Sequence, residues 1–174
     1  MLDPVLLRQN PAELAERFEV MAEVEASCGR LAARRISEAE LAALRQVHDD
    51  CRRLAQAGEV EAYYARNSEF HHCIYRATHN AFLTQEAARL HAMLQPYRRM
   101  QLQVRNRMTR SFAEHDAIVA AIRGGDAEAA ARRKAAEELA ANDAAARPKE
   151  FQGPKGPEPT RYGDWETKGI ASDF

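Results

Sequence analysis

From Asn10 to Asn142 the chain opens one helix after another, each with its own start and stop signal, and nowhere do apolar and polar residues alternate as a strand requires. This restricts the chain to an all-α fold. Asn10, Pro11 and Glu13 form the first start, and Leu14, Phe18, Met21, Cys28 and Leu31 follow as an apolar stripe to about Arg35. Ser37 with Glu40 is a capping-box pattern for a second helix that Gly58 ends, and the first two helices are expected to form an antiparallel hairpin. A third helix is expected from about Glu59 to Thr78, with Tyr63, Tyr64, Phe70 and Ile74 facing inward. A fourth begins near Phe82, and Pro96 should bend or break it near Gln95. Ser111 with Glu114 opens a fifth, which stops at Gly124 and Gly125. Asp126 caps an alanine-rich sixth that runs to about Asn142. The result is an antiparallel bundle of about six helices.

After Ala146 closely spaced prolines and glycines exclude regular helix, so an extended or disordered C-terminal tail is expected. In the body, 45% hydrophobic residues over 174 positions suffice for one principal core. Twenty-five basic and 26 acidic side chains leave a formal charge of −1, which disfavours nucleic-acid contact by this chain alone. Cys28, Cys51 and Cys73 are odd in number and widely spaced, as reduced thiols in a cytoplasm would be. No window is long and apolar enough to span a bilayer, and no secretory leader opens the sequence, so a soluble cytoplasmic protein is expected.

Chemistry concentrates on two helices. Asn67 and His71 lie four residues apart on the face that carries Tyr63, Tyr64 and Ile74, while His115 sits between Phe112 and Ile118 on the apolar side of the fifth helix. The spacing admits two readings. These are ordinary core histidines and a buried amide, each satisfied by neighbours, or they are ligands converging on a metal from facing helices. Arg98 and Arg99 follow Pro96 and could aim a guanidinium at a carboxylate, with Tyr64 as a further effector contact. Adjacent helical positions point about 100° apart, so at least one arginine should instead face solvent. No nucleophile, phosphate loop or acid/base pair suggests an enzyme.

The runs ARNSEFHHCIYRATHNAFLTQ, LQPYRRMQLQVRNR and SFAEHDAIVAAIRGGDAEAAA, after an opening FEVMAEVEASCGRLAARR, resemble the FCD ligand-binding domain of FadR-type GntR transcription regulators over about residues 10–131. The resemblance implies a helical bundle, a homodimer, a small carboxylate effector and a divalent metal (Zn, Ni or Mn). It places Asn67, His71 and His115 among the metal ligands. Asn67 stands where aspartate is common, and Glu137, beside Glu138, stands where a further histidine is expected, so any metal should be held weakly and at low occupancy.

From about Arg132 to Phe174 the chain is similar to a different family, succinate dehydrogenase assembly factor 4, through GPKGPEPTRYGDW. That resemblance implies binding to the succinate dehydrogenase flavoprotein subunit through Arg161, Tyr162, Gly163, Asp164, Trp165 and Phe174. The expected division is therefore a bundle over 1–146 and an assembly-factor-like segment over 132–174, overlapping in the last helix.

Overall fold

The computed structural model describes residues 10–102 and 107–146. Six helices follow in order: α1 (Pro11–Arg35), α2 (Glu38–Ala57), α3 (Val60–Arg76), α4 (Ala81–Leu102), α5 (Arg107–Arg123) and α6 (Ala127–Ala146). The described residues contain no strand. The tail, with the six residues assigned there to a partner, lies outside the described residues.

Local chemistry sets most of the boundaries. Asn10 Oδ1 accepts from Ala12 N–H at 3.1 Å, and Pro11 occupies a first-turn position where its missing donor would have no partner inside the helix. The box at α2 is reciprocal, with Glu40 N–H donating to Ser37 Oγ at 3.3 Å and Ser37 N–H to Glu40 Oε2 at 2.9 Å. Gly58 ends α2 at φ 71°, a left-handed conformation that glycine adopts without a Cβ clash. Asp126 Oδ1 caps α6 by accepting from Ala129 N–H at 2.9 Å.

Three expectations are corrected. The α1–α2 hairpin does not form: α1 packs on α6 and α4, while α2 packs on α3 and α5. The two helices are joined through Ile36 in an extended conformation (φ −58°, ψ 130°), which sends α2 away from α1. Of the bend or break expected at Pro96 the break does not occur: α4 runs on to Leu102 with Leu94, Tyr97 and Arg98 all buried around the proline, and tertiary packing outweighs the one lost donor. Ser111 is not a helix start. It lies buried inside α5, which already includes Arg107, and its hydroxyl donates to Asn67 Oδ1 at 3.3 Å.

The apolar core is formed by Phe18, Met21, Leu44, Phe70, Ile74, Leu94, Ile118 and Ile122, all fully or almost fully buried. α6 contributes no large apolar side chain to it. Ala127, Ala130, Ala131 and Ala141 are its buried apolar residues, and α6 lies so close to α1 that a Cβ on Gly29 would meet the Ala130 carbonyl oxygen at 2.8 Å. This near contact of backbones brings the next turns of α6 into the centre of the bundle.

Candidate functional site

Behind the apolar layer the bundle has a polar interior. α3 carries Asn67, His71 and Tyr75 at four-residue intervals, and α5 carries Ser111 and His115 at the same interval, so each set lies along one face. α1 adds Glu25, α4 adds His91, Arg98 and Gln101, and α6 adds Lys134, Glu137 and Glu138. All are buried, and Glu25, His71, His115, Lys134 and Glu138 have no exposed surface.

Lys134 organises this interior. Its ammonium lies 2.9 Å from Glu25 Oε2, 2.8 Å from Glu137 Oε2 and 2.9 Å from His71 Nδ1. An ammonium has three N–H bonds and no lone pair; two of those bonds are met by Glu137 Oε2 and His71 Nδ1, while Glu25 is held by charge alone. Burial alone would strip the proton from Lys134, but Glu137 and Glu25 outweigh burial and hold its pKa above the usual lysine value. Burial likewise raises a carboxyl pKa, yet Lys134 holds Glu25 well below the ordinary range. His71 is pushed down to about 4, first by burial and then by Lys134; burial also lowers His115 and His91. The three imidazoles are therefore neutral at pH 7.

The remaining contacts close the network. His115 Nε2 lies 2.9 Å from Glu137 Oε1, and the His115 ring stacks on Phe70 with centroids 3.9 Å apart. Tyr75 donates its hydroxyl proton to Glu25 Oε1. Arg98 pairs with Glu138, whose carboxyl burial pushes up to about 7 even beside that guanidinium. One oxygen of Glu138 and the Nε of Arg98 are buried without a hydrogen-bond partner.

A cavity of about 20 Å³ opens beside this network, lined by Asn67, Arg98, Gln101, Leu102, Arg107, Ser111, Glu137 and Ala141. That volume admits about one water molecule. Arg107 pairs with Glu114 at 2.9 Å while its side chain stays only 8% exposed, so arginines from two helices line one partly open cavity.

The structure thus brings Asn67, His71, His115, Glu137 and Arg98 together and leaves two of the sequence-derived site residues elsewhere. Arg99 is exposed and pairs with Glu61 on α3; Tyr64 is buried beneath it, with the Arg99 guanidinium carbon 6.0 Å from the ring centroid. Neither lines the cavity. Glu25, Lys134, Glu138 and Arg107 are the important residues that sequence reasoning passed over. Glu25 carried a signal, because it falls between Met21 and Cys28 on the buried stripe of α1.

His71, His115 and Glu137 offer three donor atoms within 4.8 Å of one another, as do Glu25, His71 and His91. As the residues stand, however, the set does not fit a metal ion. Lys134 already places a positive charge on the other oxygen of Glu137 and the other nitrogen of His71, directly behind the atoms around which an ion would gather. Two groups meet His71 Nδ1, the Lys134 ammonium at 2.9 Å and Glu25 Oε1 at 3.2 Å; the nearer ammonium can only donate, which favours an accepting Nδ1 and the imidazole proton on Nε2, the atom that would have to face the metal. Asn67 Oδ1 is engaged by the Ser111 hydroxyl.

The FCD domain family model matches residues 16–140, and the chain belongs to that family. It is the ligand-binding domain of a GntR-type regulator, not an enzyme. A second model, a protein family of unknown function (DUF1674), matches residues 127–174. Among solved structures the chain is similar to GntR from Streptococcus agalactiae, with 19% identity and a TM-score of 0.66. That match covers 79% of this chain and spans 62% of the other, and at this identity it establishes the fold. No helix among the described residues is long and apolar enough to cross a membrane.

Proposed function

We propose that the domain senses a small organic acid, bound in the cavity between α3, α4, α5 and α6. The observation that carries this reading is the presence of Arg98 and Arg107 in the lining of one small, partly open cavity, with Asn67, Ser111 and Gln101 in its wall. Buried guanidinium groups suit a carboxylate, which they bind through paired charge-assisted hydrogen bonds. Glu138 is the internal group that such a carboxylate would displace from Arg98. At about 20 Å³ the cavity must widen on binding, which couples occupancy to the position of α6. Such a shift would reach a DNA-binding partner domain most directly across a homodimer in the cytoplasm.

The test is a thermal shift screen of small mono- and dicarboxylic acids on the full chain, since a ligand bound only by the native state raises the melting midpoint. A hit should be lost in Arg107→Gln while the variant itself remains folded. If no acid shifts the midpoint, or the shift survives in Arg107→Gln, this assignment of the cavity is wrong.

A second reading concerns residues 132–174. The separate family match over 127–174 supports treating this stretch as a module distinct from the rest of the bundle. On the sequence resemblance alone, that partner is the succinate dehydrogenase flavoprotein.

A further inference from the structure

We infer that Lys134 is the resident cation of this domain: its ammonium, bound to the outer atoms of His71 and Glu137, shuts a divalent metal out of the site that His71, His115 and Glu137 would otherwise form. The inference is independent of which effector the cavity takes.

Two observations carry it. The three donors are mutually close enough to hold one ion, with His71 Nε2 3.5 Å and His115 Nε2 2.9 Å from the same Glu137 oxygen. His71 Nε2 is, moreover, buried without a hydrogen-bond partner. Imidazole nitrogens and a carboxylate are the donor types that divalent transition ions prefer. Against this, the Lys134 ammonium sits on the far oxygen of Glu137 and on the far nitrogen of His71, with Glu25 as a further ion-pair partner.

The two occupancies exclude each other through a single proton. With the ammonium present, His71 Nδ1 accepts and Nε2 carries hydrogen. With a metal at Nε2, the proton must move to Nδ1, where Glu25 Oε1 waits 3.2 Å away to accept it, and the ammonium must then withdraw from Nδ1. A metal would also add two charges beside a buried ammonium, a repulsion that no further carboxylate within the trio relieves. Zn²⁺, Ni²⁺ and Mn²⁺ are therefore shut out of the native chain but not of one that lacks the ammonium.

The experiment compares the intact chain with Lys134→Met, which keeps most of the length of the side chain and removes its charge. The native chain should show no stoichiometric binding and no change in midpoint when Zn²⁺, Ni²⁺ or Mn²⁺ is added to chelator-treated protein. Lys134→Met should melt lower and be rescued by one of these ions, by roughly 5–10 °C when the ion exceeds its Kd about a hundredfold. Adding His115→Ala to Lys134→Met should abolish the rescue. Imidazole ¹⁵N NMR of the native chain should place the His71 proton on Nε2. One tightly held ion per native chain, a folded Lys134→Met that ignores metal, a Lys134→Met that fails to fold even with metal, or a His71 proton on Nδ1 would each overturn the inference.

Discussion

The bundle buries two regions equally well by opposite means. In the layer around Phe18, Met21, Leu44, Phe70 and Ile118 every side chain is fully hidden and apolar. In the interior around Glu25, His71, His115, Lys134 and Glu138 every side chain is just as hidden and is polar or charged. The first region is held by area removed from water, which tolerates loose geometry. The second survives only because each charge meets an opposite one, and it would be costly if one member were missing. A buried position therefore does not identify the force that holds it, and the two regions should respond differently to truncation and to pH.

The largest expected effects come from removing one member of each region. Phe18→Ala should cost about 3–5 kcal/mol from the lost side chain and its cavity. Glu137→Ala should cost a similar ~3–5 kcal/mol, because it strips an acceptor from both Lys134 and His115. Urea titrations of both variants over a range of pH separate the causes: the Phe18→Ala loss should be constant, and the Glu137→Ala loss should vary.

Acidification sharpens the comparison. His71 titrates near 4 in the fold against about 6.5 when unfolded, so between those values the unfolded chain takes up a proton that the folded chain refuses. Stability should therefore fall as pH drops through that window. His91 and His115, lowered in the same direction, add to the loss. Glu138 opposes it, since its folded value near 7 lies above the ordinary 4.5, and the folded chain is the better proton acceptor between the two. Glu138→Gln should thus make the acid loss steeper, as read from melting midpoints between pH 7 and 4.5. An unchanged slope would show that Glu138 is already solvated.

Smaller effects belong to the edges of the two regions. Gly29→Ala should cost about 1–3 kcal/mol, because its new methyl must push against the Ala130 backbone rather than a side chain that can move. Ser37→Ala should cost about 1 kcal/mol through the lost cap. Both are measurable by chemical denaturation, and a Gly29→Ala loss smaller than that of Ser37→Ala would mean that α1 and α6 separate easily.

The apolar region was legible in the sequence and the polar one largely was not, for reasons visible in single residues. Ser37 with Glu40, Gly58 and Asp126 announced their boundaries because caps are local chemistry. Phe70, Ile74, Ile118 and Ile122 repeated at helical spacing, and their burial followed. Asn67, His71 and His115 could be placed on inward faces by the same spacing. Lys134 and Glu138 could not, because α6 has alanine where a stripe would be and so gives its charged residues no inner or outer face. Ser111 misled because a buried hydroxyl facing Asn67 and a capping hydroxyl look alike in one dimension. Arg107 had no local signal at all; only the meeting of α4 and α5 gives it the cavity.

The alanine face of α6 has one more consequence. Ala127, Ala130 and Ala131 repeat at three- and four-residue intervals, so a slide of one turn, about 5.4 Å, would offer α1 much the same smooth surface. Shape alone does not say where along α1 the helix must stop. Lys134, Glu137 and Glu138 do, since that slide would carry the ammonium away from Glu25 and His71 and part Glu138 from Arg98. The buried charges act as the teeth of a ratchet on an otherwise slippery contact. Replacing all three with alanine should therefore preserve helicity by circular dichroism but multiply the backbone NMR signals of α6, each set reporting a different resting point along α1. A single sharp set would show that the alanines suffice to lock the helix.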